Sequence, residues 1–295
     1  LKLHLSHLHR DSDVARIRPA LTQLRALADL HIHSTFSDGR LTIPEIVDLY
    51  GRQGFAAIAI TDHLCETATF LGKAANYLEQ TLTPSTFPLY QEILASEAER
   101  ARREYGMLVV PGFELTKNTI LNHRSAHVVA LGVTEWISAD LSIEEICARI
   151  HAQGGLAIAA HPVSTRKLEK QTYYLWNRRD EFAAHFDAWE VASGRKIFTE
   201  VLESGLPMIA NSDMHRAEQI ESWKTVFRSA RGTAELRITF DEIRMGVHAQ
   251  DLEFQYYSAT STSGLKRLTL ENVYDDGDDG RDIAGTWGRA VGDRI

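Results

Sequence analysis

Histidines and carboxylates stand along this chain in short groups, and nearly every group follows an apolar run. The groups are His31-Ile32-His33, Asp38, Thr61-Asp62-His63, Glu114, His127, His161-Pro162 and Asp213-Met214-His215. Apolar strands that each deliver an imidazole or a carboxylate at the tip can build a cage for cations. Such mixtures suit zinc, manganese and iron. No thiolate stands in the groups, which argues against a structural Cys-rich zinc site. His31 and His33 are two apart, so on a strand both face one side and can grip one ion. Asp213 and His215 repeat that spacing. Each group alone is a weak motif, because a lone histidine is ordinarily a hydrogen-bonded core or surface residue. Their ordered recurrence at strand tips carries the expectation of a metal centre.

The elements that must position these groups alternate in type. Strand-like runs are Ala28 to His33, Ala56 to Thr61, Met107 to Pro111, His127 to Val133, Leu156 to Ala160, Ala188 to Val191 and Pro207 to Asn211. They are short, rich in Ala, Ile and Val, and nearly continuous in hydrophobicity, as in parallel strands buried on both faces. His127 differs from the other groups by opening its strand. Helices are signalled between the strands by capping boxes at Thr42, Ser142 and Thr239, each with Glu three residues on. Glu97 to Tyr105 reads as a charged helix ended by Gly106. Alternation of strand and helix predicts a parallel β/α sheet or barrel, whose functional groups gather at the carboxyl ends of the strands.

Composition bounds the rest. Of 295 residues, 44% are hydrophobic and 24% charged, ordinary for a soluble globular protein. A net charge of -8 argues against a broad nucleic-acid-binding face. The two cysteines, Cys65 and Cys147, make neither a disulfide framework nor a CxxC site, which fits a reducing cytoplasm. No apolar run approaches the roughly 18 residues of a membrane span, and the first residues lack a signal-peptide core. Residues 1–28 read as an N-terminal leader, where His4, His7 and His9 are surface histidines rather than a metal tract. Residues 64–104 read as a mostly helical insertion after the second strand, placed to act as a lid. Residues 258–295 read as a C-terminal tail. It holds a possible edge strand at Leu265 to Val273 and an acidic run, Asp275 to Gly280, that is solvated rather than calcium-binding.

The ordered segments DLHIHSTFSDG, AIAITDH, VVPGFEL, HVVALG, AAHP and ANSDMH resemble the PHP (polymerase and histidinol phosphatase) family of metal-dependent phosphoesterases, from about Asp29 to about Gln250. The resemblance implies a distorted (β/α)7 barrel over residues 29–257. It implies divalent metal ions, two or three per chain (Zn, Mn or Fe). His31, His33, Glu114 and Asp213 would hold the first ion. Glu114 would bridge to a second held by His127 and His161, and Asp38, His63 and His215 would hold a third. The family often has histidine where Asp38 stands, and Ser-Asp-Gly is a frequent alternative. His123 competes with His127 for its place. Asp62 is expected to accept a hydrogen bond from a ligand imidazole. Glu190 is open between that kind of support, substrate binding and a structural role.

The activity implied is hydrolysis of a phosphate ester by metal-bound water, with no side-chain nucleophile. Phosphate needs further donors, and arginine suits it best. Arg195, Lys196, Arg166 and Arg216 are the candidates for substrate binding, with Arg124 and Lys167 nearby in sequence. Cys65 is expected near the site without a catalytic role. The substrate reading is a phosphorylated small molecule or a nucleotide. The competing readings are an exonuclease on short DNA or RNA and a non-catalytic, metal-stabilised interaction domain.

Overall fold

A computed structural model describes residues 24–69, 74, 80–118, 125–163, 173–229 and 236–259. The leader, the tail beyond 259, His123, Arg124, Arg166 and Lys167 lie outside the described residues.

The architecture is mixed α/β, a strongly curled sheet that makes a distorted (β/α)7 barrel. Its strands are β1 (Leu24–Asp29), β2 (Ala57–Ile60), β3 (His63–Cys65), β4 (Leu108–Lys117), β5 (Ala126–Leu131), β6 (Leu156–Ala159), β7 (Ala188–Ser193), β8 (Lys196–Ile197), β9 (Met208–Asn211), β10 (Trp223–Ser229) and β11 (Leu252–Tyr256). The order is β11-β10-β1-β2-β4-β5-β6-β7-β8, with β3 on β4 and β9 on β7. Seven of these overlap the runs expected from the sequence.

Several strands depart from the expectation of a parallel sheet, among them the short β8, antiparallel to β7. β5 runs antiparallel to both β4 and β6. Its first residues therefore lie at the end of the barrel where its parallel neighbours finish. This is why His127 serves the same mouth although it opens its strand. β10 and β11, which carry none of the chemical groups, add antiparallel strands outside β1. The curl is tied together at the mouth by backbone contacts beyond β1 and β9. Ile32 bridges to Met214, and His33 N donates to Met214 O at 2.8 Å.

Side chains alternate between the two faces of the sheet. On β2, Ala57 and Ala59 join an interior cluster with Ala28, Val110, Val129, Ile158 and Ile209, while Ile58 and Ile60 pack outward under helices. Alanines inward let strands curl tightly; larger aliphatic residues outward fill the space below the helices. The helix Ile43–Arg52 starts at its capping box, with Thr42 N bonded to Glu45 Oε2 at 2.8 Å. The helices Ile143–Ala152 and Phe240–Ala249 start likewise. The second of these closes the opposite end of the barrel. Phe240 packs where a side chain on Gly132 would stand, and the preceding Arg237 donates to Gly54 O at 2.6 Å.

The stretch expected as an insertion over 64–104 is partly a wall of the barrel. The helix Phe87–Tyr105 runs far longer than the segment ended by Gly106 that the charges suggested. Its Phe87, Tyr90, Leu94 and Ala101 are buried against the sheet and the first helix. The Tyr90 hydroxyl reaches Ile60 O and Gly112 O, both at 2.9 Å. Among the described residues no helix is long and apolar enough to cross a membrane.

Removing the Tyr90 hydroxyl leaves two buried carbonyls without this donor. Tyr90→Phe is expected to lower stability by about 1–3 kcal/mol, read as a lower urea midpoint with an unchanged slope.

Candidate metal centre

The strands bring their chemical groups to one mouth. His63 follows Ala59 and Thr61 in inward parity, Glu114 follows Val110 and Gly112, and His127 precedes Val129. His161 breaks this parity. It stands one residue beyond inward-facing Ala160 and reaches the site through a left-handed φ of 27°. Asp213 has φ 52°. Non-glycine residues in this region are strained, and such strain concentrates where a side chain must be aimed. Asp38 is aimed by the loop Ser34–Gly39. A methyl group on Gly39 would stand 2.3 Å from His33 O, so only glycine lets the loop fold back this closely.

Four sets of side chains lie close enough to share an ion: His33, Asp38, His63 and His215; His31, His33 and Glu114; His31, His161 and Asp213; His63, Glu114 and His127. All nine residues singled out from the sequence as ligands are in one or more sets. The grouping differs in detail from the one the resemblance implies. His33 also faces the third set, and Asp213 joins His161, although Asp213 Oδ1 is still 3.2 Å from His33 Nε2.

The spacing fits cations. Bonds of about 2.0–2.1 Å put neighbouring ligand atoms about 3–3.5 Å apart. Here His31 Nε2 and His33 Nε2 are 3.1 Å apart, His161 Nε2 and Glu114 Oε1 3.3 Å, and His215 Nε2 and Asp38 Oδ1 3.1 Å. Glu114 Oε2 is the clearest sign. It is buried, lies 2.7 Å from His63 Nδ1, and has no hydrogen-bond partner. His63 Nδ1 also lies 2.9 Å from Thr116 Oγ1, and its Nε2 faces Asp38 Oδ1 at 3.5 Å. The donor set is nitrogen and oxygen throughout, and the residues fit divalent ions.

Surrounding groups orient the imidazoles. His31 Nδ1 lies 2.9 Å from Glu190 Oε1, leaving Nε2 for the cluster. Glu190 also accepts from Asn211 Nδ2 at 3.0 Å and from His161 N at 2.7 Å, so it anchors two candidate ligands. That resolves its open reading: it supports an imidazole, as carboxylates behind metal-bound histidines do. His215 Nδ1 lies 2.9 Å from Asp213 O, which directs Nε2 to Asp38. His127 Nε2 lies 3.1 Å from Asn118 Oδ1, leaving Nδ1 beside Glu114 Oε1 at 2.9 Å. Asp62 differs from expectation. It accepts from Ser34 N, Ser34 Oγ and Ser37 Oγ at 2.6–2.7 Å and touches no imidazole; Ser37 Oγ, 3.4 Å from His33 Nδ1, stands between. Its carboxylate is fully used in holding the loop that carries Asp38.

The charges are strongly coupled. Burial opposes protonation of His31, yet the carboxylates of Glu190, Asp213 and Glu114 hold its pKa well above the usual value. His63 and His161 are raised against burial in the same way. His215 is raised to about 9, where Asp213 and Asp38 outweigh burial. His33 falls to about 3, from burial and from its neighbours His215 and His63. Glu114 and Asp213 stay ionised far below the usual range, the surrounding imidazoles overcoming burial. Such a cluster holds protons where cations belong.

The mouth opens into a cavity of about 910 Å³. Lys196 and Arg216 line it, as expected. Lys196 Nζ stands 5.3 Å from the Phe198 ring centre. Arg195 does not line it. The two-residue turn between β7 and β8 pairs Ser193 with Lys196 and throws Arg195 outward, 3.7 Å from Glu221 Oε2. Arg40 and Asn118 line the cavity and escaped the sequence reading. For Arg40 a signal existed, since it directly follows the Ser-Asp-Gly loop. Cys65 packs beside the site in β3, where burial raises its thiol to about 11.

A family model described as PHP domain matches residues 29–239. Over 148 residues the chain is 29% identical to the Uncharacterized protein MJ1587 of Methanocaldococcus jannaschii, covering 46% of this chain and 68% of that one. Among solved structures, a two-domain protein from Bacteroides vulgatus, described as containing a PHP-like metal-dependent phosphoesterase, superimposes with a TM-score of 0.56 at 19% identity. That likeness covers 80% of this chain, which spans 66% of the Bacteroides protein. PsfC from Pseudomonas syringae gives a TM-score of 0.48 at 16% identity, over 74% of this chain and 87% of that one. At 19% identity the Bacteroides likeness speaks to the fold alone.

Metal binding must displace protons from the raised histidines, so affinity is expected to rise with pH up to about 9. Titration calorimetry in buffers of different ionisation enthalpy reads the released protons. The metal-free protein has the opposite dependence. Stabilisation from a histidine raised in the folded state is complete below the unfolded value of about 6.5 and fades as pH climbs through the folded one. Its Tm should fall between about 6.5 and 9, and bound metal should suppress that fall.

Proposed function

This chain belongs to the PHP domain family, and from that premise we propose that it hydrolyses a phosphate ester of a small molecule or nucleotide. The reaction is assigned to a centre of two or three divalent ions (Zn, Mn or Fe) held by His31, His33, Asp38, His63, Glu114, His127, His161, Asp213 and His215. One observation carries the reading: these side chains converge at one mouth with ligand atoms at coordination spacing around Glu114. Bound divalent ions supply Lewis acidity, charge neutralisation and activation of water near neutral pH.

The chain's own residues do the rest. Lys196, Arg216 and Arg40 stand along the cavity and offer donors to phosphate oxygens. Glu190 and Asn118 hold the imidazoles of His31 and His127 in the tautomers that leave ligating nitrogens inward. The strained backbone at His161 and Asp213 keeps both side chains aimed without substrate. A cavity of about 910 Å³ exceeds what a phosphate group fills and has the size of sites that enclose whole small ligands. The same openness favours a second reading, removal of nucleotides from short oligonucleotides.

Hydrolysis of a generic aryl phosphate with added Mn2+ tests the assignment. His161→Ala should lower the rate by more than the roughly 10–100-fold that loss of an outer partner costs, with the circular dichroism spectrum unchanged. Absence of turnover of any phosphate ester by metal-loaded protein would sink the enzyme reading and leave a metal-stabilised interaction domain. A mononucleotide compared with a short 5′-phosphorylated oligonucleotide ranks the two substrate readings by kcat/KM.

A further inference from the structure

Lys224 in β10 is fully buried, a place that lysine almost never takes unless paired. Its ammonium lies 3.0 Å from Asp29 Oδ2 and donates to Ser222 Oγ at 2.5 Å. Neither Lys224 nor Asp29 lines the cavity. The pair is behind the site, out of reach of substrate.

For stability alone this is a poor arrangement. Desolvating two charges costs several kcal/mol each, and apolar residues of similar size commonly serve as well or better. The partners of Asp29 supply another reason. The Tyr50 hydroxyl donates to Asp29 Oδ2 at 2.6 Å and lies 3.4 Å from Met214 Sδ. Ser212 N donates to Asp29 Oδ1 at 2.9 Å. Asp29 stands two residues before His31, and Ser212 stands one before Asp213. One carboxylate thus grips both segments that present paired ligands, His31/His33 and Asp213/His215. Those segments are otherwise joined by a thin seam. It includes Leu30 N to Asn211 Oδ1 at 2.9 Å, His33 N to Met214 O at 2.8 Å, and Met214 N and Ser212 Oγ to His31 O, each at 3.3 Å. A slip of that seam would misplace four of the nine candidate ligands together.

We propose that Lys224 is a positioning residue for the metal centre: its ion pair with Asp29 sets the register between the His31–His33 and Asp213–His215 segments. The proposal rests on the metal-centre reading above, and not on any particular reaction. Lys224 fixes Asp29 in place, and both carboxylate oxygens accept, Oδ2 from Tyr50 and Oδ1 from Ser212 N. A neutral amide at position 29 has one accepting end and cannot hold Tyr50 and Ser212 in the same way.

The test is Co2+ titration of the full chain, followed by visible absorption, with circular dichroism and thermal melting alongside. Lys224→Met/Asp29→Asn removes both charges with side chains of similar size. The expected result is Co2+ binding weakened about 10–100-fold and a shifted absorption band, with the fold retained and Tm within a few degrees of the parent. Co2+ affinity within twofold of the parent, with an unshifted band, would overturn the proposal. Should the double variant fail to fold, Tyr50→Phe decides. It removes one hydrogen bond to the same carboxylate and leaves the charges. Weaker Co2+ binding with a shifted band supports the register role, and an unchanged titration overturns it. A parent that binds Co2+ yet hydrolyses no phosphate ester removes the proposed activity and leaves this inference standing.

Discussion

The carboxylate of Glu114 is buried among the imidazoles of His31, His63, His127 and His161. A charge so placed is costly unless it is paired, and this one is paired with groups that are themselves crowded. The histidines cannot all be protonated, because they repel one another; His33 gives way first. The carboxylates cannot all be neutral, because the remaining imidazolium groups hold them ionised. The barrel therefore maintains a knot of mutually dependent charges at one end. Small cations satisfy every donor in such a knot. Strand curl, strained turns and supporting hydrogen bonds are all arranged around it.

Much of this was legible in the sequence because the relevant signals are local. Capping boxes at Thr42, Ser142 and Thr239 start helices where expected. His63 and His161 stand just past the ends of β2 and β6, while Glu114 lies within the longer β4. The i, i+2 spacing of His31 and His33 does bring their Nε2 atoms together, although β1 formally ends at Asp29 and the histidines lie on its extended continuation.

What escaped depends on contacts between distant segments. Nothing local marks the reversal of β5, which is why His127 looked misplaced. Asp62 follows a strand as the ligands do, but the three donors from Ser34 and Ser37 that occupy it belong to another loop. Arg195 and Lys196 are adjacent in sequence, and a two-residue turn sends them to opposite sides. The helix Phe87–Tyr105 carries so many charges on its outer face that its apolar inner face was hard to see across Pro84 and Pro88. Lys224 stands in a strand without chemical motifs, and only burial reveals its partner.

The reversed β5 also divides the barrel's connections into two kinds. A connection between parallel strands must cross from mouth to base, and a helix spans that distance. The one joining Lys117 to Ala126 leaves β4 at the mouth and enters β5 at the mouth. Asn118, just past β4, and His127, near the start of β5, both stand at the cavity. Reversal of a single strand thus sets the end of β4 and the start of β5 side by side at the reactive groups.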